Sequence, residues 1–367
     1  MRDKKAPTLT DVARAAGVSP YTVSVVLNGA RSNTRVSEAT RARILESAAA
    51  LRYHPNAMAR SLVKRRASAI GVLFSVVEST EALANPYASG LLQGIVTRAA
   101  HRGYDVLLYN ERWQDAAHSA ARYRDRRTDG VIVVAPLTDT DIVPGLALLD
   151  IPLVAVSAAS VACPPGTANV DVDNALGVRL AVEHLLAGGH RRIAHLMGNE
   201  NVASVPLRRQ AFLDVMAEAG LSVPEAYVVP CTYDATTVGE ALDHLLRRPE
   251  PPTALLAGND NIAIAALNYA RENNLSVPEE LSVVGFDDIP AASQVTPRLT
   301  TVHQPLHEIG GAAADTLIDR IEGAADAPAP AGDGSRYLEP SLVIRESTGP
   351  APAPGKERPL REEDSQP

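Results

Sequence analysis

The chain has 367 residues, enough for two or three domains, and its 46% hydrophobic content against only 4% aromatics calls for a core of mostly Ala, Val and Leu. Two cysteines, Cys163 and Cys231, exclude a disulfide framework, and neither sits in a CxxC or Cys/His grouping, so neither a metal nor a cofactor is expected. The net charge of −8 hides a split: residues 1–67 carry 13 Lys and Arg against 4 Asp and Glu, and the remainder 22 against 39, the footprint of a small nucleic-acid-binding module on an acidic body.

The N-terminal stretch MRDKKAPTLTDVARAAGVS lacks the apolar core of a signal peptide. No run of about 18 apolar residues is present to span a membrane, so the expected location is the cytoplasm. Thr10 is placed to cap a first helix with Asp11 in its first turn, and Val12, Ala13 and Ala16 share one face of it. Gly17 suits the position just past a helix, Ser19 suits an N-cap, and Pro20 suits the first helical position. A second helix from Tyr21 to about Leu27 turns Val23, Val26 and Leu27 inward, and Asn28-Gly29 ends it. Two short helices about a Gly-Val-Ser turn make a helix-turn-helix. A third helix begins at Ser37, with Ile44, Leu45, Ala48 and Leu51 as its expected buried stripe and Arg41 and Arg43 outward.

The stretches TLTDVARAAGVSPYTVSVVLNG and VSEATRARILESAAALRYHPNAMARSL resemble the DNA-binding domain of the LacI/GalR family of bacterial regulators over nearly all of residues 8–63. The resemblance implies that the second helix enters the major groove with Pro20, Tyr21 and Val25 toward the base edges. Many members carry Arg or His where this chain has Val25; Val cannot make the bidentate contact to guanine and can only touch a thymine methyl or exclude larger groups. Thr22, Ser24 and Asn28 are placed for phosphates, with plain helix solvation the other reading of Thr22 and Ser24; Thr10 and Ser19 complete the expected contacts of the head. Residues 55–63, PNAMARSLV, resemble the family's hinge helix. There Asn56, Ala59 and Leu62 would enter the minor groove beside a second copy, Leu62 wedging into the central step of a bent, pseudo-palindromic operator; otherwise Leu62 packs on its own domain.

From Ala69 onward short apolar runs alternate with amphipathic helices: strands in AIGVLFSVV, YDVLLYN, VIVVAP, PLVAVSA, RIAHLMG, YVVP, TALLAGND and LSVVGFDD, with helical segments between them. Two successive series of this kind predict two parallel-sheet lobes with right-handed crossovers, and a ligand cleft off the carboxyl ends of the strands. VDVDN, HLLAGGHRRIAHLMG, RRQAF, GNDNIAIAAL, VGFDDIP and LTTVHQP are similar to the periplasmic-binding-protein-like sensor of the same family. The expected fold is thus an all-α helix-turn-helix head plus an α/β two-lobed sensor with parallel sheets. The expected domains are a head over 1–54, a hinge and linker over 55–67, a sensor and dimerisation domain over 68–345, and a disordered tail over 346–367. By resemblance the chain crosses between lobes near Asp171, Leu299–Val302 and Arg336. Arg208, Asn259 and Asp287 would hydrogen-bond the effector, helped by Ser204, with Asn85 and Tyr87 facing them and Leu256 forming a wall; a structural ion pair is the other reading of Arg208 and Asp287. Asp260 is either a helix N-cap or a further contact. His184, His190 and His195 lack metal-ligand spacing, and His190 suits a cation at a helix C-terminus.

These features predict a homodimeric, sequence-specific DNA-binding repressor whose operator affinity is controlled by a small molecule, most simply a sugar or sugar derivative, and which has no membrane partner. A solute-binding protein of a sugar transport system would explain the body but not residues 1–67. An enzyme would need a motif such as GxSxG, HExxH or a P-loop, and none is present.

Overall fold

The computed structural model describes residues 6–28, 35–54, 66–75, 84–110, 113–159, 161, 163–164, 166–232, 234–323 and 335–353. They fall into two compact units, 1–69 with 125–129 and 70–124 with 130–367. The hinge readings at Asn56, Ala59 and Leu62 lie outside the described residues.

In the first unit, helices α1 (Leu9–Ala16), α2 (Pro20–Asn28) and α3 (Glu38–Ala50) enclose a small core of Val12, Ala13, Ala16, Val23, Ile44 and Ala48. The N-cap of α1 is Thr8, not Thr10. Thr8 accepts from the Asp11 backbone N–H, and the Asp11 carboxylate accepts from the Thr8 N–H at 2.9 Å, so a capping box fixes the start two residues earlier. Gly17 ends α1 at φ +62°, a conformation that costs glycine nothing. Ser19 accepts from Thr22 N at 3.1 Å and Ser37 from Thr40 N at 3.2 Å, starting α2 and α3. Leu45 and Leu51, expected inside, are 50% and 36% exposed. A helix that touches only two short neighbours buries a narrow stripe, and Ile44 and Ala48, one turn apart, fill it.

The second unit holds two six-stranded sheets. The strands are β1 (Ala69–Phe74), β2 (Asp105–Leu108), β3 (Val131–Val134), β4 (Leu153–Val156), β5 (Ala168–Val172), β6 (Ile193–Leu196), β7 (Val228–Val229), β8 (Ala254–Ala257), β9 (Ser282–Asp287), β10 (Thr300–His303), β11 (Ser335–Leu338) and β12 (Ser341–Val343). The first sheet has the order β11-β5-β4-β3-β1-β2 and the second β12-β10-β9-β8-β6-β7. From β1 to β11 the neighbours pair in parallel, as do those from β7 to β10; β12 is antiparallel to β10. Both faces are covered, so β3, β4 and β8 are buried at every position. The helices are α4 (Pro86–His101), α5 (Ala116–Tyr123), α6 (Ile142–Ala147), α7 (Asn174–Ala187), α8 (Ser204–Glu218), α9 (Ala235–Leu246), α10 (Asp260–Glu272) and α11 (Leu306–Glu322).

The chain passes from the first lobe to the second between β5 and α7, returns between β10 and α11, and crosses again between β11 and β12. The second crossing lies at Gln304-Pro305 rather than at Leu299–Val302: Thr300, Thr301 and Val302 are themselves strand residues of the second sheet. Residues 346–353, expected to belong to a disordered tail, are docked on the second lobe. Ser347 is fully buried, accepting from Thr300 N at 2.8 Å and donating to the Val283 carbonyl at 2.6 Å, and Ala351 N donates to the Gly188 carbonyl at 2.8 Å. Backbone and hydroxyl bonds of this kind hold a polar segment that composition alone marks as disordered.

Candidate functional site

The strands of both lobes end at a common cleft with about 820 Å³ of empty space, part of it open to solvent. It is lined by Asn85, Tyr87, Ser204, Arg208, Asn259 and Asp287, together with Phe74, Ser157, Val202, Val205 and Asn261. Leu256 is not on its wall. It lies inside β8 at 1% exposure and packs into the core; in a parallel sheet the residues just beyond the strand, here Gly258 and Asn259, reach the crevice.

Arg208 occupies the centre. It enters from the first turns of α8 and is buried, with Nε donating to Asn174 Oδ1 at 2.8 Å and Nη1 to the Gly258 carbonyl at 2.6 Å. Its guanidinium carbon lies 3.5 Å from the centre of the Phe286 ring, which supports the flat cation from one face. Asp287 ends β9. Burial pushes its carboxyl up to about 6, against the pull of Arg208 and of Gln304, whose Nε2 donates to Oδ1 at 2.6 Å. Asp287 and Asp288 both have positive φ, +122° and +58°, a strained pair of the kind that turns a chain sharply at a binding site. Asp288 is salt-bridged to Arg345 at 2.6 Å and hydrogen-bonded to His303 Nδ1 at 3.0 Å, joining the end of β10 to the segment that follows β12.

On the first lobe, Asn85 caps α4 by accepting from the backbone N–H groups of Tyr87 and Ala88, and its cap position brings it to the cleft. The Tyr87 hydroxyl and Ser157 Oγ are 2.7 Å apart. Burial, reinforced by the charge of Asp171, pushes the Tyr87 phenol up, so it stays a neutral donor. Asn259 likewise caps α10, accepting from Ile262 N at 3.0 Å. Asp260 is therefore neither the N-cap nor a cleft contact. It is fully buried, accepting from Ile289 N at 2.8 Å and from the Thr301 hydroxyl at 2.5 Å, a strut beneath the Asp287 turn.

Asp171, Asn174, Ser157 and Gln304 had no role assigned from sequence, although VDVDN and LTTVHQP contain three of them. Asp171, on β5, accepts from Val172 N at 2.8 Å, and burial raises its carboxyl from 3.8 to about 6. Between these two values the native state keeps a proton that the unfolded chain has released, so this group lowers stability as pH rises and its cost is constant above about 6. Asp171→Asn is accordingly expected to gain stability over the parent between pH 4.5 and 6.5 and to hold that gain at higher pH, measured by paired urea unfolding. A gain that shrinks with rising pH would contradict the assignment.

The histidines are structural. His195 Nδ1 bonds the Leu256 carbonyl at 2.9 Å, and burial lowers the ring to about 4. His184 Nε2 lies 2.9 Å from Thr348 Oγ1. His190 is fully buried between Thr253 and the Gly349 carbonyl, and burial lowers it too; it is a neutral bridge to the docked tail rather than the expected cation.

On the head, Thr10, Ser19, Pro20 and Tyr21 are exposed, Tyr21 at 57%, while Thr22, Ser24 and Val25 are half-buried. Asn28 is buried and donates to Ser24 Oγ at 3.2 Å, which removes its amide from the phosphate-facing role expected of it. Among the described residues no helix is long and apolar enough to cross a membrane.

Residues 8–56 match the family of bacterial regulatory proteins, lacI family, and residues 182–348 match the periplasmic binding protein-like domain. The chain is 34% identical to the ribose operon repressor of Escherichia coli K12 over 317 residues, covering 86% of this chain and 93% of that protein. It is also 34% identical to the HTH-type transcriptional repressor PurR of Vibrio cholerae, over 86% and 91%. Among solved structures, the lac repressor dimer bound to operator and the anti-inducer ONPF superposes with a TM-score of 0.79 at 29% identity, over 94% of this chain and all of that one. The transcriptional regulator CelR in complex with cellobiose superposes with a TM-score of 0.68 at 30% identity, over 93% and 99%. The helix-turn-helix head, the two-lobed sensor and these likenesses agree: the chain belongs to the lacI family of bacterial regulatory proteins, a DNA-binding transcription regulator and not an enzyme.

Proposed function

We propose that this regulator is a cytoplasmic repressor that holds a pseudo-palindromic operator as a homodimer and changes its grip when a neutral polyhydroxylated molecule, a sugar or sugar derivative, fills the cleft. The carrying observation is the Arg208–Asp287 pair on one wall: a forked donor and an ionised acceptor that match adjacent hydroxyl groups, each of which both donates and accepts. Tyr87, Ser157, Asn85 and Asn259 add neutral donors and acceptors around it. Phe74 and Tyr87 are the aromatic rings on the described lining, which does little to favour a stacked purine. Charge does little to favour anions: among the described lining residues Asp287 offsets the cation Arg208, and the buried Asp171 behind it also acts on Arg208, so a sugar phosphate would meet no surplus of positive charge. On the head, Ser19, Pro20, Tyr21, Thr22, Ser24 and Val25 form the DNA-facing surface, with the segment containing Asn56, Ala59 and Leu62 completing it.

The test is a thermal-shift screen of the full chain with neutral monosaccharides and disaccharides, purine bases and sugar phosphates, followed by operator binding with each hit. A neutral carbohydrate that raises the melting temperature is expected also to alter DNA affinity, and operator DNA must then change its affinity for that carbohydrate by the same factor, because the coupling between the two sites is reciprocal. Stabilisation by purines alone, or by sugar phosphates alone, would replace this reading of the cleft.

A further inference from the structure

The second helix of the head has an unusual inventory. Its sequence, PYTVSVVLN, contains no Arg, Lys, Gln or His, and its one amide, Asn28, is buried and turned onto Ser24 Oγ. The aliphatic hydroxyls of this region are engaged as well: Ser19 Oγ and Thr22 Oγ1 lie 2.8 Å apart, and Ser24 Oγ accepts from Asn28. Guanine is read in the major groove by Arg or Lys, and adenine by Asn or Gln. α2 presents none of these. What it does present is the ring of Tyr21, 57% exposed and tipped by a phenolic hydroxyl, and the half-buried, wholly apolar Val25 one turn later. Val23 fills the head core and Val26 and Leu27 pack against it, while Val25 takes no part in that cluster. The exposed cations Arg35, Arg41 and Arg43 lie outside α2, where they can meet phosphates without reading bases.

We infer that α2 reads its operator half-site through thymine 5-methyl groups, with Val25 and Tyr21 forming the methyl-contacting surface, and that the step facing Val25 is a T·A pair rather than G·C. This rests on the head being the operator-binding element. The occupant is duplex DNA because the head carries a surplus of nine positive charges, counted over residues 1–67, and because the operator-bound lac repressor dimer superposes on 94% of the chain. A methyl group of thymine is the apolar feature of the major groove that such a surface can grip.

The experiment selects duplexes from a random library with the full chain, then replaces each half-site thymine by deoxyuridine, which removes only the methyl. The expected result is a palindromic site at which one deoxyuridine in a single half-site weakens binding about fourfold, the worth of one buried methyl, and the same replacement in both half-sites weakens it about fifteenfold. Val25→Ala is expected to lose that sensitivity at one position while the head keeps its helical circular dichroism and melting curve, since Val25 does not pack in the core. Val25→Arg is expected to shift the selected base at that position to guanine. A palindromic site insensitive to deoxyuridine, or one with G·C opposite Val25 in the parent, overturns this inference and leaves operator binding standing. Failure to enrich any duplex overturns the operator reading itself, and this inference with it.

Discussion

Asp287→Asn is expected to weaken effector binding by roughly 10- to 150-fold while leaving operator affinity within about twofold, the range set by losing a hydrogen bond to an ionised group at 1.5–3 kcal/mol. Asn is the informative replacement. Position 287 sits at φ +122°, where a non-glycine residue is strained and Asn is among the better tolerated. An amide oxygen can also still accept from Gln304, whose bond to Oδ1 is 2.6 Å. What disappears is the charge that a sugar hydroxyl would donate to and that balances Arg208. The same substitution removes a buried carboxylate raised to about 6, so at neutral pH the variant is expected to be at least as stable as the parent. Loss of response thus cannot be put down to unfolding. Titration calorimetry with the hit from the carbohydrate screen, beside operator binding in its absence, separates the two. An unchanged effector affinity would take Asp287 out of the site.

The sequence spoke clearly where burial and periodicity coincide. AIGVLF, VIVV, LVAV and ALLA are runs that only a sheet covered on both faces can bury, and each is a strand. It was silent at β5, β10, β11 and β12, whose sequences ANVDV, TTVH, SRYL and SLV carry Asn, Asp, Thr and Ser. In β5 and β10 those polar residues are buried while each keeps at least one hydrogen bond: Asn169 accepts from Ala158 N, Asp171 from Val172 N, and Thr301 donates to Asp260. Hydropathy cannot register a polar side chain that is met by a particular backbone N–H, or by a partner as distant in sequence as Asp260 is from Thr301. These strands flank the passages between lobes, so the part of the fold hardest to read locally is the part that shapes the cleft. The cleft residues themselves were legible as polar groups placed just beyond strand ends, at Asn85, Asn259 and Asp287. Leu256 and Asp260 were misplaced by one or two residues, enough to carry a side chain from the crevice into the core. Asn174 and Gln304 were missed for the opposite reason. Their roles are to hold Arg208 and Asp287 in position, a contact between distant segments that no local motif states.

Gly310→Ala is expected to destabilise the sensor by about 2 kcal/mol or more, the range of overpacking a close-packed site, while Gly311→Ala, one residue on, is expected to stabilise it by about 0.5–1 kcal/mol. Both lie inside α11, where alanine is favoured over glycine by about 1 kcal/mol, so local propensity predicts the same sign for both. Packing decides otherwise. A Cβ at Gly310 would stand 2.1 Å from the Leu91 carbonyl oxygen and 3.1 Å from Ile95 N, and one at Gly94 on α4 would stand 2.0 Å from the His307 carbonyl oxygen. The obstacles are backbone, which has no rotamer to yield, so α4 and α11 would have to separate. Leu91, Ile95, Ile309, Leu317 and Ile318, all at 1% exposure or less, would lose contact with them. A Cβ at Gly311 meets nothing nearer than the Gly94 carbonyl at 3.9 Å, leaving only the propensity gain. Urea midpoints with unchanged slopes would report the two values directly. Equal signs for the two variants would mean that helix propensity rather than this backbone-to-backbone contact governs the crossing, and that the first lobe owes its rigidity to something other than the packing of α4 on α11.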